Sequence, residues 1–382
     1  MTWMERKFVA YAKEKMQELI DLTCQITLIP APSYHETERA TFCKEWLENC
    51  GAKGIYIDES GNLIYPCFSG KSGKWIVLSA HMDTVFDLDV PLEIRKDGDK
   101  LYCPGIGDDS ANLAVLLLGT RWIMEHPPVD SEYGLMVVGT VAEEVGSVGV
   151  PPMIDRIGAE NIHRFYSFDA TYNRLYPDQV NIKSYTITVK TPGGHALGNF
   201  GMPNAIEELA KVLCMISQKN LDYIKGNNLK RTTYNAGTIQ GGEKRNIIAK
   251  EATLLLELRS DREEWCRVLE QNMWDALAYY RRENVSLTAE TVGNQPRWST
   301  VSDEVIEAMT KEHLEIMHSL GLDPLVSKSG TDCRYPMHRG IPSVCLGLCM
   351  AGNPHSVEEY LIPDSLSSGL ELLLVLMEHL FF

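Results

Sequence analysis

The feature that most constrains the fold is an alternation of short apolar runs with a long apolar segment of helical length. Residues 75–80 form an apolar run that ends at His81, residues 111–124 read as a buried helix, and residues 133–141 form a second apolar run. Strand, helix and strand in this order predict a largely parallel sheet buried on both faces. Because reactive groups collect where such strands end, the residues after these runs are the first candidates for chemistry.

A second pattern interrupts the first between residues 181 and 296. Its segments follow the order strand, helix, strand, strand, helix, strand, which is the βαββαβ order of a ferredoxin-like α+β unit. Residues 297–382 then return to the first style. We therefore predict an α/β domain with a mixed, largely parallel sheet flanked by helices, formed by residues 1–180 and 297–382. Residues 181–296 are predicted to be inserted into it as a smaller domain.

Composition narrows the partners and the compartment. The chain has 36 lysine and arginine residues and 52 acidic residues. Its formal charge of −16 would repel nucleic acid or an acidic membrane surface. No apolar stretch is long enough to span a bilayer, and the N-terminal segment passes into helical spacing at residues 8–28 without a secretion signal. The ten cysteines include no CxxC pair and are predicted to be reduced. We expect a cytoplasmic protein that acts on a small solute.

Acidic and imidazole side chains follow the apolar runs. His81 and Asp83 stand two residues apart at the end of one run, where alternate side chains share a face, so one could bind metal while the other supports it. Glu143 and Glu144 are adjacent after another run. Two such carboxylates in one site repel each other unless they share a cation or a proton. We therefore expect one of the two glutamates to be a general base and the other to be a metal ligand.

Further acids and one more imidazole bring the set to the size that a pair of metal ions requires. They are Asp108, Asp109, Asp169 and His355. The aspartate pair precedes the long apolar helix and could instead cap it or offset its dipole. Two zinc ions need about five protein ligands of imidazole and carboxylate type, one of them bridging, and a water to attack the substrate. The whole set therefore predicts a two-metal hydrolase.

Seven motifs are spread over nearly the whole chain. They are SAHMDTV at 79–85, PGIGDDSANLA at 104–114, VAEEVGSVG at 141–149, SFDAT at 167–171, TPGGHALG at 191–198, SGTD at 329–332 and NPHSVEEY at 353–360. Together they resemble the cocatalytic zinc peptidase family of peptidase T, glutamate carboxypeptidase, acetylornithine deacetylase and succinyl-diaminopimelate desuccinylase. Within that family the chain is most similar to peptidase T.

The resemblance implies which residues bind the metals. His81 and Asp169 would hold one Zn²⁺, Glu144 and His355 would hold the second, and Asp108 would bridge both. Co²⁺ or Mn²⁺ would also suit these ligands.

The resemblance also implies the catalytic residues and the assembly. Glu143 would be the general base, Asp83 would orient His81, and His195 of the GGHA segment would stabilise the oxyanion, commonly in the active site of the partner subunit. The inserted domain would act as a lid and would join two copies of the chain into a homodimer.

Three further residues are candidates for substrate contact, namely Asn246, Arg259 and Lys328. The two cations could hold a peptide carboxylate through charge-assisted hydrogen bonds, or they could be solvated surface charges. By the resemblance, aspartate at position 169 favours di- or tripeptide aminopeptidase activity. Two alternatives stay open: hydrolysis of N-acyl or N-carbamoyl amino acids by the same machinery, and a non-catalytic metal-binding scaffold.

Overall fold

The chain divides into two units in a computed structural model that describes residues 3–292 and 299–382. The larger unit consists of Met1–Gln179 and Ser299–Phe382, and the smaller unit is Val180–Trp298. The predicted boundary between residues 296 and 297 lies outside the described residues.

The helices and strands alternate along most of the chain. In order, the helices are α1 (Trp3–Glu14), α2 (Met16–Thr27), α3 (Thr37–Asn49), α4 (Ala111–Glu125), α5 (Val150–Ile157), α6 (Ala205–Gly226), α7 (Glu263–Tyr280), α8 (Asp303–Ser319), α9 (Arg334–His338) and α10 (Ser365–Phe381). The strands are β1 (Tyr56–Ile57), β2 (Leu63–Phe68), β3 (Trp75–His81), β4 (Arg95–Asp97), β5 (Lys100–Tyr102), β6 (Gly134–Thr140), β7 (Ile162–Ser167), β8 (Arg174–Gln179), β9 (Asn181–Lys190), β10 (Gly194–His195), β11 (Thr232–Gly241), β12 (Ile247–Ile248), β13 (Glu251–Ser260), β14 (Ser286–Thr291), β15 (Leu325–Ser329), β16 (Ser343–Leu346), β17 (Ala351–Gly352) and β18 (Tyr360–Leu361).

An eight-stranded sheet forms the centre of the larger unit, in the order β1-β2-β6-β3-β7-β16-β8-β15. Strands β6, β3, β7 and β16 run parallel to one another, and β15 runs parallel to β8, whereas the β1–β2, β2–β6 and β16–β8 pairs are antiparallel. The prediction of a mixed, largely parallel sheet is therefore confirmed. The carboxyl ends of the four central parallel strands meet at one edge of the sheet.

Helices cover both faces of this sheet because successive residues of its central strands point to opposite sides. In β6, Leu135 and Val137 join the core formed with α2, α4 and α10, whereas Met136 and Val138 join the core formed with α5 and α9. Every residue of β6 is buried. Burial on both faces explains why this strand is an unbroken apolar run in the sequence.

The segment with helical spacing at residues 8–28 is helical, and it is divided between two helices, α1 and α2. Lys15 between α1 and α2 has φ −85° and ψ 2°, which interrupts the helical backbone. The ring of Phe8 in α1 packs edge-on against Trp122 of α4 with ring centroids 5.3 Å apart, while Leu19 of α2 enters the same core. The break allows both helices to turn an apolar face to that core.

The smaller unit has its own sheet and its own core. Its strands lie in the order β11-β13-β9-β14 and all pair antiparallel, with α6 and α7 packed against alternate residues of β9 and β13. The predicted βαββαβ arrangement is confirmed. Separately, β10 pairs with β12 and sets His195 opposite Ile247. In neither described stretch of the chain is there a helix both long enough and apolar enough to cross a bilayer.

Candidate metal centre

Three strand ends deliver most of the candidate ligands to one edge of the large sheet. His81 is the last residue of β3, Glu143 and Glu144 follow β6, and Asp169 follows β7. His355 lies between β17 and β18, two short strands of the separate sheet β17-β18-β5-β4. The parallel direction of β3, β6, β7 and β16 places these carboxyl ends together, as is usual for reactive groups in α/β sheets.

Asp108 comes to the same place on the turn Ile106–Ser110, directly before α4. The buried carboxylate of Glu359 holds this turn, since it accepts hydrogen bonds from the backbone N–H groups of Gly105, Gly107 and Asp108 at 2.9, 2.7 and 2.8 Å. A Cβ atom on Gly107 would lie 2.3 Å from the side chain of Ala351, so the close packing here requires glycine.

The ligand atoms form two sets that share Asp108. His81, Asp108, Asp109 and Asp169 form one set, and Asp108, Glu144 and His355 form the other, with the ligand atoms of each set within 4.8 Å of one another. One oxygen of Asp108, Oδ1, lies 3.0 Å from His81 Nε2, while Oδ2 lies 3.2 Å from His355 Nε2. A carboxylate that presents one oxygen to each set is placed to bridge two cations.

Asp109 belongs to the first set by position, but both of its oxygens are already engaged. Oδ2 accepts a hydrogen bond from the backbone N–H of His81 at 2.9 Å, and Oδ1 accepts one from the Asn112 side chain at 2.6 Å. Asp109 is fully buried, and burial followed by the charge of Asp169 and Asp108 outweighs His81 and raises its pKa well above the usual value. Asp109 therefore ties the end of β3 to the start of α4.

Asp83 connects the imidazole of His81 with the two glutamates. Its carboxylate accepts hydrogen bonds from the backbone N–H groups of Glu143 and Glu144 at 3.0 and 3.1 Å and from the Ser33 hydroxyl at 2.6 Å. The Nδ1 atom of His81 lies 3.1 Å from the Asp83 carbonyl oxygen and 3.4 Å from its carboxylate. These contacts fix the ring so that Nε2 faces Asp108.

The backbone beside the ligands adopts conformations that non-glycine residues rarely take. Ala142, Ala170 and His355 have φ values of 53°, 68° and 61°, in the left-handed region. Each such residue costs about 1–3 kcal/mol and persists where surrounding contacts hold it. One of those contacts is the hydrogen bond from the Ala142 N–H to the buried carboxylate of Glu36, at 2.9 Å. Ala142 precedes Glu143, Ala170 follows Asp169 and His355 is itself a candidate ligand, so these three strained residues lie at the centre.

Besides Asp109, three carboxyl groups of the centre have raised pKa values in the metal-free protein. Burial, followed by the negative charge of Asp108, raises the pKa of Glu144 to about 7 and that of Asp169 to about 6. Burial and then the charge of Asp169 raise the pKa of Glu143 well above its usual range. Among the described residues none of these carboxylates is ion-paired with lysine or arginine, so their mutual repulsion would be relieved by a cation.

The imidazoles respond to the same negative charge. The hydrogen bond to Asp108 raises the pKa of His355 to about 9. Burial lowers the pKa of His81, but the charge of Asp109 and the hydrogen bond to Asp108 outweigh burial, and the pKa is well above normal. Burial also opposes ionisation of Asp108, yet the hydrogen bonds from His355 and His81 hold its pKa well below the usual range.

The donor set and one unsatisfied atom fit metal ions. Imidazole nitrogens and carboxylate oxygens are the ligands that Zn²⁺, Co²⁺ and Mn²⁺ accept. The Oε1 atom of Glu144 is buried without a hydrogen-bond partner among the described residues, although its Oε2 lies 3.1 Å from His355 Nε2. A buried carboxylate oxygen without a partner is costly unless a cation binds it. The residues form a candidate dinuclear metal centre.

Three of the other predicted site residues lie in the smaller unit. His195 and Asn246 are both exposed. They lie close together beside the β10–β12 pair, where the Ala196 N–H donates to the Asn246 carbonyl oxygen at 3.0 Å. Arg259 is exposed on β13, and its Nε donates to Glu257 at 2.6 Å. Their predicted roles stay predictions.

Lys328 is half-buried on β15, where its ammonium group forms an ion pair with Asp178, its register partner on β8. Its predicted contact with substrate stays a prediction. Sequence reasoning missed Arg174, at the start of β8, which lines a cavity beside the metal centre. The only signal in the sequence was a basic residue five positions after Asp169.

Comparisons with known proteins agree with the geometry. Residues 77–379 match the model of a family described as Peptidase family M20/M25/M40. Carboxypeptidase G2 of Pseudomonas sp. (strain RS-16) is 25% identical over 310 residues, covering 78% of this chain and 72% of that protein. The cytosol non-specific dipeptidase of Escherichia coli (strain K12) is 25% identical over 321 residues, covering 73% of this chain and 61% of that protein.

Solved structures share the fold over almost the full length of the chain. A tripeptidase from Staphylococcus aureus has a TM-score of 0.75 and 23% sequence identity, covering 95% of this chain and 99% of its own. The aminopeptidase PepT from Bacillus cereus ATCC 10987 also has a TM-score of 0.75, with 19% identity and coverage of 96% and 98%.

Proposed function

Because the chain belongs to Peptidase family M20/M25/M40, we propose that it is a dizinc hydrolase that cleaves an amide bond in short peptides, as a di- or tripeptide aminopeptidase. Membership confirms the resemblance that the motifs indicated. The observation that carries the proposal is the pair of ligand sets that share Asp108, with the two glutamates of the β6 turn beside them.

His81, Asp108 and Asp169 would hold one ion, and Asp108, Glu144 and His355 would hold the other. Cations bound there would polarise the amide carbonyl and lower the pKa of the attacking water. Zinc is the proposed metal, and cobalt or manganese would accept the same ligands. The buried Glu144 oxygen without a partner supports this assignment of the second ion.

Glu143 is the proposed general base. Its carboxylate takes a proton from water as the water oxygen attacks the carbonyl carbon, and it returns that proton to the nitrogen as the carbon–nitrogen bond breaks. The hydrogen bond from the Glu143 N–H to Asp83 supports the placement of this residue.

Replacing Glu143 tests the mechanism. Glu143→Gln removes the base but no ligand, so we expect two bound metal ions per chain and a fall in kcat on the order of 10²- to 10⁴-fold. Metal content by mass spectrometry and turnover of a cleaved peptide are measured together. Glu59→Gln, at a glutamate whose side chain is 95% exposed, is the matched control and keeps full activity. Full turnover by the Glu143 variant would overturn the mechanism.

A panel of small amides tests the substrate class. Xaa-Gly-Gly tripeptides, dipeptides and their N-acetylated counterparts are incubated with the zinc-loaded enzyme and again after chelation. Cleavage restricted to peptides with a free amine, and abolished by the chelator, is the expected result. Cleavage of only the acylated set would instead favour an N-acyl or N-carbamoyl amidohydrolase. This is the less favoured alternative, because the relatives include a carboxypeptidase and a dipeptidase.

The smaller unit is the proposed lid and homodimer interface. Its edge strand β11 is exposed over most of its length, with Ile239 at 53% exposure, which supports pairing with a second copy. In this arrangement His195 would donate to the oxyanion. Sedimentation velocity tests the assembly, and a monomer at micromolar concentration would contradict it.

Within the described residues none of the ten cysteines forms a disulfide, which supports the proposed cytoplasmic location.

A further inference from the structure

A cavity of about 410 Å³ opens beside the metal centre within the larger unit. Its wall includes the candidate ligands Asp108 and Asp169 and, next to them, Thr171, Arg174 and Tyr176. The last two residues are half-buried on β8 and, being two positions apart on a strand, share a face. A substrate whose amide reaches the metal ligands therefore has Arg174 within the same cavity.

Arg174 differs from Arg164 and Lys328, on other strands of the same sheet, in having no protein counter-ion among the described residues. Within residues 3–292 and 299–382 its guanidinium forms no hydrogen bond or ion pair. By contrast, Arg164 on β7 binds both oxygens of Glu312 at 2.8 and 3.0 Å, and Lys328 pairs with Asp178 on the same polar face of β8. A half-buried guanidinium is stabilised by an anion, and the free protein does not supply one to Arg174.

We propose that Arg174 is a specificity-determining residue, which selects substrates that carry a carboxylate next to the scissile amide. The inference rests on the proposed amide hydrolysis. The planar fork of the guanidinium matches a carboxylate with two parallel hydrogen bonds. Divalent cations bound to Asp108, Glu144 and Asp169 would offset the negative charge of these carboxylates and so reduce the repulsion of an anionic group in the cavity.

The carboxylate has two possible sources, namely an acidic side chain of the substrate or its C-terminal carboxylate. Four dipeptides distinguish them: Glu-Ala, Gln-Ala and the C-terminal amide of each. Preference for glutamate in both the acids and the amides assigns Arg174 to the side chain. Preference for the free acid over the amide, with either first residue, assigns it to the C-terminus.

Arg174→Gln tests the role of the residue. We expect the preferred peptide to lose roughly tenfold to hundredfold in kcat/KM, the magnitude for hydrogen bonds to a charged group, while Gln-Ala amide is cleaved at the wild-type rate. Arg174→Lys, which keeps the charge without the fork, should recover part of the preference. Arg156→Gln, at an arginine on the larger unit that pairs with Asp58, is the matched control. The inference is overturned if the ratio of kcat/KM for the preferred peptide to kcat/KM for Gln-Ala amide is the same in Arg174→Gln as in the wild type. It is also overturned if the wild type cleaves all four dipeptides equally well.

A binding measurement separates this inference from the proposed function. Calorimetric titration with glutarate and butyrate compares a dicarboxylate with a monocarboxylate and needs no turnover. If glutarate binds the wild type more tightly than butyrate does, and Arg174→Gln loses this difference, the inference is supported. That result holds even if none of the four peptides is cleaved, and the proposed function alone then fails. Equal binding of glutarate to both proteins overturns the inference even where the peptides are cleaved.

Discussion

At the scale of single residues, the metal centre depends on acids whose oxygens bind the protein rather than a metal. Asp83 accepts the N–H groups of Glu143 and Glu144 and lies beside the His81 ring, so one carboxylate aligns a proposed base and two proposed ligands. Glu359 does the same for the turn that carries Asp108. Such supporting contacts determine the ligand geometry as much as the ligands themselves do.

Asp83→Asn tests this dependence. The amide group of asparagine can accept only one of the two backbone N–H groups and would place its own N–H against the other, so the Glu143–Glu144 turn would lose its alignment. We expect zinc affinity to fall about 10- to 100-fold, as for other residues that support metal ligands. Competition with a chromogenic chelator measures the affinity. Ser33→Ala, which removes one of the four hydrogen bonds or close contacts of Asp83, should have a smaller effect, and wild-type affinity in Asp83→Asn would contradict the prediction.

At the scale of helices and strands, prediction from the sequence succeeded where an element is buried on both faces. Strands β3 and β6 are apolar runs because they pack on two layers of helices, so the chain itself indicates that His81 and Glu143 stand at strand ends. The two- and three-residue strands β5 and β18 gave no periodic signal. Their pairing joins Tyr102 to Tyr360, far apart in the chain, and it helps to bring Glu359 to the Asp108 turn.

The same limit explains the residues that sequence reasoning missed or left open. A basic residue in a strand has the same sequence signature whether it faces solvent or a cavity, so the sequence did not show that Arg174 of β8 lines a cavity while Arg259 of β13 is exposed. The pairing of Lys328 with Asp178 depends on the parallel register of β15 with β8, which hydrophobic patterning does not specify. The burial of charged groups is a property of the assembled layers.

Helix α8 carries a histidine that should make stability depend on pH. His313 is 1% exposed, its Nδ1 lies 2.7 Å from the Met309 carbonyl oxygen, and its Nε2 has no hydrogen-bond partner among the described residues. Burial lowers its pKa below the usual 6.5. Because the folded pKa is depressed, the stabilisation is complete above about pH 6.5 and is lost as pH falls through the folded value.

We therefore expect the melting temperature to fall below about pH 6.5, and to fall less steeply in His313→Gln, which cannot be protonated there. Differential scanning calorimetry from pH 8 to pH 5 measures the slope, which is informative even if the variant is less stable at every pH. His318→Gln, on the same helix with a 52% exposed side chain, is the control and keeps the wild-type slope. Equal slopes for the wild type and the His313 variant would count against a buried neutral imidazole.

At the scale of the whole molecule, the two units have separate cores and all the candidate metal ligands belong to the larger one. The chain carries a formal charge of −16, and the buried carboxylates of the centre add local repulsion that bound cations would offset. Metal ions should therefore stabilise the two units unequally. Zinc at a hundred times its dissociation constant would add about 2.7 kcal/mol to the free energy of unfolding of the unit that binds it.

Hydrogen–deuterium exchange with zinc present or chelated measures that inequality. We expect zinc to slow exchange after β3 and β6, around residues 81–83 and 141–147, and in the Ile106–Ser110 turn, while the sheet of β9 and β13 exchanges at the same rate in both conditions. Asp108→Asn weakens the ligand shared by both sets and should abolish the protection, whereas Glu143→Gln should retain it. Protection spread equally over both units, or persisting in Asp108→Asn, would mean that the cations stabilise the chain through other sites.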